Sequence, residues 1–246
     1  EGLTMALPKL IDKGRYWTKA WSLVEGCGQV ICHEDRLDIP RKPRNPHVFA
    51  LWSDFFHEAV PAKFIEKAYE VMLDDNKHTY LILTKRPERL YNFYDSHNDA
   101  LQFSGVLDSI WHSTTAENQE QADKRIPELL KIPGKKFLSV EPMLGNIDIR
   151  KYLYPLECQR CCGGECADCA HERRPISQVL CGGETGHNAR PCNPDWVRSL
   201  RNQCAEARVP FFFKKWGDYK GSLAGRFLDG RTHDELVWCM PNYKIS

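Results

Sequence analysis

The sequence predicts an α/β protein, a full or partial parallel β/α barrel, and three observations carry that prediction. Short apolar runs of strand type alternate with helical patterns, the signature of parallel strands joined by right-handed crossovers. Seven such runs can be counted, which suits a barrel better than an open doubly wound sheet. No G-x-G-x-x-G follows any run, so the fingerprint of a dinucleotide-binding sheet is lacking. Of the 246 residues 42% are hydrophobic, enough to fill one large core, and residues 1–246 read as a single domain.

The elements follow in order. "KAWSLVEG" (19–26) is read as a first strand and "HVFALW" (47–52) as a second. The pattern "PAKFIEKAYEVMLDD" (61–75) predicts a helix, with Pro61 suited to the first turn and Phe64, Ile65, Ala68, Val71 and Met72 on one face. "TYLILTK" (79–85) predicts a buried strand, "RPERLYNFY" (86–94) a short helix and "SIWHSTTAE" (109–117) another strand. Asn118 is placed to cap a helix over 118–131, which Pro127 is expected to kink or split. "KKFLSVEP" (135–142) is the next strand. The rhythm then breaks over a Cys-rich insertion, residues 150–175, and resumes with the strand "QVLCGGE" (178–184). A helix over 193–207 has Asn193 as its cap, Pro194 in its first turn, and Trp196, Val197, Leu200 and Cys204 on one face. "PFFFKKWG" (210–217) is the last strand. Residues 218–246 show no period and are read as a tail packing on the barrel.

In either parallel fold, ligands bind where the strands end at their carboxyl side. The residues there are Asp54; Lys85 and Arg86; Glu117 and Asn118; Glu141; Gly182, Gly183 and Glu184; and Lys214 and Lys215. Taken singly, each has a structural reading as a cap, a turn or a helix start. Taken together, the mixture of acids and bases predicts a pocket for a zwitterionic or phosphate-bearing small molecule. Glu141 and Glu184 suit an ammonium; Lys85, Arg86 and Lys215 suit a carboxylate or phosphate.

The segment "CQRCCGGECADC" (158–169) packs five of the eleven cysteines into twelve positions. Cys158, Cys161, Cys166 and Cys169 form two Cys-x-x-Cys knuckles, the full ligand set of a structural zinc. The overlapping series Cys162-x3-Cys166-x2-Cys169 has the spacing with which radical SAM enzymes hold a [4Fe–4S] cluster. Zinc is the favoured reading: the series lies late in the chain, and Asp168 stands where an aromatic residue is usual. Cys181 and Cys204, on apolar faces, read as core residues.

The charge balance, 34 Lys and Arg against 33 Asp and Glu, argues neither for nor against nucleic acid. No run of eighteen apolar residues exists, so no membrane partner is expected. The sequence "EGLTMALPKLIDKGRYW" lacks the apolar core of a signal peptide, and a reducing cytoplasm is the expected location.

Several phrases together, among them "WSLVEGC" (21–27), "HEDRLDIP" (33–40), "LTKRPERL" (83–90), "TTAENQEQADKRIPELL" (114–130), "FLSVEPMLG" (137–145), "CGGETGHNARP" (181–191) and "GRFLDGR" (225–231), resemble a bacteriophage and bacterial family often called phage three-Cys-motif proteins. That family looks like a divergent branch of the radical SAM barrels, and its biochemical role is unsettled. The resemblance covers most of the chain outside 150–175 and the ends. It implies an iron–sulfur cluster and S-adenosylmethionine as cofactors, with Cys27 as the first cluster ligand. In the family, "WSLVEGC" continues into two further cysteines and a helix; here "GQVICHEDRLDIP" follows Cys27 directly, so the ligand set is incomplete. A crossover needs about ten or more residues, which "CGQVI" does not supply. The pattern rejoins at Gly28 without adjustment, which favours residues left out of the sequence over a deletion.

The resemblance implies a radical SAM-like enzyme acting on a nucleotide or nucleic acid. The alternative is a non-catalytic nucleic-acid- or protein-binding barrel with a structural zinc knuckle, for which "HERRP" and "TKRPER" supply local basic charge. A third reading, a hydrolase using Asp54, Glu117, Glu141 and Glu184 with a divalent metal, has no compact motif behind it.

Overall fold

A computed structural model describes residues 21–23, 30–51, 54–101, 107–154, 176–217 and 225–239. Strands β1 (Trp21–Leu23) and β2 (Val30–Cys32) pair antiparallel as a two-stranded sheet of their own. A six-stranded parallel sheet follows: β3 (Val48–Leu51), β4 (Thr79–Thr84), β5 (Ile110–Thr115), β6 (Lys135–Val140), β7 (Val179–Gly182) and β8 (Phe211–Lys215). Its helices are α1 (Ala62–Asp74), α2 (Pro87–Leu101), α3 (Gln119–Leu130), α4 (Arg150–Leu153) and α5 (Pro194–Glu206). Strand order in the sheet follows chain order from β3 to β8 without reversal. A doubly wound sheet reverses at a switch point, so this is the winding of a β/α barrel.

The strand expected at 19–26 does not join that sheet. Its residues form β1, and the six residues between β1 and β2 suffice for a hairpin connection, whereas a parallel crossover requires about twice as many. The parallel sheet therefore has six strands rather than the seven counted from sequence.

The chain divides into two compact units, residues 1–113 with 131–135, and residues 114–130 with 136–246. In the first, β3 and β4 pair from Val48 opposite Thr79 to Leu51 opposite Ile82. The helix α1 buries Phe64, Ile65, Ala68, Val71 and Met72 as their spacing predicts, and adds Tyr69. An aromatic cluster holds the unit together: Phe56 packs on Phe55 and Phe93 with ring centres 5.6 and 5.8 Å apart, and Tyr69 packs on Phe93 at 5.4 Å. His78 is buried and satisfied at both nitrogens. Its Nδ1 accepts from the His47 amide (3.0 Å) and its Nε2 lies 2.9 Å from the Pro40 carbonyl. Burial pushes its pKa down, so it is held neutral.

In the second unit, β7 pairs with β6 and β8 around a core that includes Phe137, Leu138, Val140, Val179, Cys181 and Phe213. Val197, Leu200 and Cys204 bring α5 onto it, while Trp196 is only half-buried. Both predicted caps form: Asn118 Oδ1 accepts from the Gln121 amide and Asn193 Oδ1 from the Asp195 amide, each at 2.9 Å. Pro127 does not split α3, which runs unbroken from Gln119 to Leu130. The carbonyl that Pro127 leaves without a donor belongs to Asp123, on the exposed side, where water can satisfy it.

Two buried glutamines tie the second unit's loops to its core. Gln203 accepts from the Ile149 amide (2.8 Å) and donates to the Ile147 carbonyl (2.8 Å), fixing the approach to α4. Gln178 accepts from the Val237 amide (3.0 Å) and donates to the Glu235 carbonyl (2.9 Å). Residues 225–237 thereby lie along β8, with the Phe213 amide donating to the His233 carbonyl (2.9 Å) and Asp234 bridged to Phe212. Of the segment expected to be an insertion, Arg150–Leu153 is helical and buries Tyr152 and Leu153. Residues 155–175 lie outside the described residues, as does Cys27.

Candidate functional site

The strand-end residues singled out in the sequence form four ion pairs, one for each acid. In the first unit Asp54 receives Thr84 Oγ1 at 2.5 Å and is paired with Arg86, whose Nε donates to Glu58 at 2.6 Å. The hydrogen bond from Arg86, a backbone amide bond at Glu58 itself and the charge of Arg86 together hold the Glu58 carboxyl down at about 2. Arg89 adds donations to the carbonyls of Phe56 (3.1 Å), His57 and Val60 (2.7 Å). This network pins the 54–60 loop to the start of α2. Arg86 is thus consumed locally, and Lys85 stands exposed at the end of β4.

In the second unit Glu117 is buried against Arg125, whose Nη1 donates to Glu117 Oε2 (2.8 Å) and to the Thr115 carbonyl (2.7 Å). The carbonyl of Glu117 accepts from the Leu144 amide at 2.8 Å, and the Gly182 carbonyl accepts from the Met143 amide at 2.9 Å. The loop after β6 therefore reaches across to the ends of β5 and β7. It carries Glu141 directly over Gly182: a Cβ on that glycine would lie 3.2–3.3 Å from the Glu141 side chain. Lys214 Nζ reaches both carboxylate oxygens of Glu141 at 3.0 Å, and both side chains keep part of their surface in solvent. Lys215, next along β8, makes no side-chain hydrogen bond or ion pair among the described residues.

Gly183 is required by the backbone itself. Its amide donates to the Lys215 carbonyl (2.8 Å), and an added Cβ would sit 1.6 Å from the Trp216 carbonyl oxygen. Gly217 faces it from the segment just after β8 at φ +77°. Glu184 is turned outward and chelated by Arg190, with Nε and Nη2 donating at 2.8 and 2.7 Å and the Arg190 amide at 2.9 Å. Those bonds hold its carboxyl down at about 2. Asn118 serves as the cap of α3, and a Cβ on Gly145 would lie 3.6 Å from its own Cβ.

The structure thus brings Glu141, Lys214, Gly182, Gly183 and Lys215 together and gives Glu117, Asn118 and Glu184 to local architecture. The partners that decide this, Arg125, Arg190 and Lys214, stand eight, six and seventy-three residues from their acids. Only Lys214 carried a sequence signal, as one half of the Lys-Lys pair ending the last strand. Among the described residues no group of three or more His, Cys, Asp or Glu side chains is arranged to hold a metal ion. Asp54, Glu117, Glu141 and Glu184, the acids of the divalent-metal hydrolase reading, each pair with a basic side chain of their own. Cys181 and Cys204 are buried core thiols whose pKa burial pushes up. Cys158, Cys161, Cys166 and Cys169 lie outside the described residues.

Fold and rim together define an α/β protein with a parallel sheet and an ion-paired group at the carboxyl ends of its last three strands. A family model described as a protein of unknown function, DUF5131, matches residues 8–237, and the chain belongs to that family. No curated protein and no solved structure matches it. No helix among the described residues is long and apolar enough to cross a membrane.

Proposed function

We propose that this protein is a radical SAM-like enzyme of phage or defence context, acting on a nucleotide or nucleic acid. The observation that supports the reading best is the Glu141–Lys214 pair laid over Gly182 at the carboxyl ends of β6, β7 and β8, with Lys215 beside it. The carboxylate keeps lone pairs free beyond the one ammonium that touches it. A methionine-type zwitterion suits this donor set, its ammonium on Glu141 and its carboxylate on Lys214 or Lys215. Gly182 matters because only a residue without Cβ lets the Glu141 side chain rest against the β7 backbone. Exclusion of water from one side of the pair strengthens its hold on a charged ligand.

The iron–sulfur cluster is assigned to Cys27 by resemblance, with its companion ligands outside this sequence. With S-adenosylmethionine it supplies one-electron chemistry that ends in hydrogen abstraction from the substrate. Zinc on Cys158, Cys161, Cys166 and Cys169 would brace the 155–175 segment without taking part in the reaction. The nucleotide or nucleic-acid substrate rests on the phage resemblance alone.

The test is anaerobic reconstitution of full-length protein with iron and sulfide, followed by addition of reductant and S-adenosylmethionine. Formation of 5′-deoxyadenosine supports the reading, and Glu141→Gln should raise the concentration of S-adenosylmethionine needed by about tenfold, the value of one charge-assisted hydrogen bond. Iron-free, zinc-loaded protein that makes none, yet binds DNA or RNA with a steep salt dependence, establishes the non-catalytic binding barrel instead.

A further inference from the structure

The amino end of β8 carries a second cluster of charge that the strand-end rim does not use. A cleft of about 580 Å³ opens there, lined by Arg201, Arg208, Arg231, His233, Phe211 and Glu235 among others. Three guanidiniums face it against one carboxylate, and that carboxylate is committed: Glu235 Oε2 accepts from the Phe211 amide at 3.1 Å. Arg201 is held by Asp229 (2.7 Å), which also takes Arg198 (2.8 Å), and by Asn202 Oδ1, which accepts from its Nε (3.1 Å) and Nη2 (2.9 Å). Arg231 makes no side-chain hydrogen bond or ion pair among the described residues.

The backbone is shaped to present these groups. Arg208 follows the last turn of α5 at φ +53°, a left-handed position normally given to glycine or asparagine, and it places a guanidinium there instead. Asp229 and Gly230, at φ +52° and +80°, form the tight turn whose bridge from Leu228 to Arg231 sets Arg231 beside the cleft. His233 is 5% exposed, and among the described residues its Nε2 has no hydrogen-bond partner. The Leu228 carbonyl lies by the ring and favours its protonated form.

We propose that this cleft is a phosphate-binding site, Arg231 supplying a bidentate fork for a phosphoryl or pyrophosphoryl group and Arg201 and Arg208 adding positive charge around it, with His233 taking up a proton as the anion binds. A planar fork matches two phosphate oxygens at once, which a scattered basic surface does not offer. Burial is the main force that keeps His233 neutral, and the charges of Arg231 and Arg201 add to it, while Glu235 and the Leu228 carbonyl favour the proton. An anion that neutralises the two arginines removes their part of the opposition and supplies a negative partner for the imidazolium, so binding and protonation are linked. The site is separated from Lys215 by the length of β8, about 13 Å, and it stands whether or not the rim performs radical chemistry.

The experiment is calorimetric titration of the full chain with inorganic pyrophosphate, with adenosine diphosphate and with a single-stranded 12-mer oligonucleotide, in parallel with an imidazole NMR titration of His233. Saturable binding is expected, weakened at least tenfold in Arg231→Ala and in Arg208→Ala but unchanged in Lys63→Ala, on the exposed side of α1. The His233 pKa should rise when ligand is present. Pyrophosphate or the diphosphate binding best assigns a free nucleotide as the source; the oligonucleotide alone binding, with the same arginine dependence, assigns a chain phosphate. Arg231 is exposed, so its removal should leave the circular dichroism spectrum unchanged; unaltered affinity in that variant, no saturable binding of any of the three, or a His233 titration indifferent to ligand would each overturn the proposal.

Discussion

Replacing Gly183 with alanine should destabilise the protein severely, whereas the same change at its neighbour Gly182 should barely do so. The new Cβ at 183 would fall 1.6 Å from the Trp216 carbonyl oxygen and 2.4 Å from its carbon, against a contact limit near 3.0 Å. The obstacle is backbone, so no rotamer change relieves it, and β7 and β8 must part by more than an ångström where they leave the sheet. That separation breaks the Gly183 amide to Lys215 carbonyl bond (2.8 Å), worth about 1 kcal/mol, and adds overpacking strain of about 2 kcal/mol. A total near 3 kcal/mol corresponds to a fall in Tm of roughly 6–12 °C for a chain of this length. At Gly182 the nearest atoms are 3.2–3.3 Å away and belong to the Glu141 side chain, which can swing aside. Gly182→Ala should therefore cost less than about 1 kcal/mol. It should nonetheless displace the carboxylate from Lys214. Urea denaturation of both variants decides the matter. A Gly183→Ala protein within 1 kcal/mol of the parent would refute the close backbone crossing on which the rim is built.

Three further outcomes are expected. Gln203→Leu leaves the Ile149 amide and the Ile147 carbonyl without partners in the core, a loss of about 2–4 kcal/mol by urea titration; a loss under 1 kcal/mol would show that water replaces the side chain. Glu184 has its carboxyl at about 2 in the folded chain, so its contribution is present above the ordinary carboxylate range and fades as pH falls from about 4.5 toward 2; Glu184→Gln should flatten that part of the stability–pH curve, and parallel curves would contradict the Arg190 clamp. His78 is held neutral by burial, so the unfolded chain binds a proton that the folded one does not as pH drops below about 6.5; stability should fall there, and an NMR titration placing His78 above 6.5 would reverse the sign.

Much of the architecture was legible because it depends on local periodicity. The runs at 47–52, 79–85, 109–117, 135–142, 178–184 and 210–217 became β3 to β8, each observed strand shorter than its run. The trimmed ends are informative: Glu141 and Pro142 leave the ladder because proline has no amide hydrogen to extend it and the following amides are drawn to Gly182 and Glu117. Asn118 and Asn193 were readable as caps, since a cap is a contact over two or three residues. Charge pairing was not readable. Nothing in "GETGHNAR" says that Arg190 folds back on Glu184, and Glu141 meets Lys214 only once β6, β7 and β8 lie side by side. The same holds for residues 225–237, which lack a period because their course is set by β8 and by Gln178 rather than by a buried face of their own.

The central claim, that a cluster-bearing protein presents S-adenosylmethionine at the Glu141–Lys214 rim, is tested most directly by counting 5′-deoxyadenosine formed per chain after anaerobic reconstitution of the full-length protein and of its Cys27→Ala and Glu141→Gln variants. The account predicts product from the parent, none from Cys27→Ala, and a shifted S-adenosylmethionine dependence in Glu141→Gln. Iron-replete parent protein that yields no product, or a Cys27→Ala variant as productive as the parent, would contradict it.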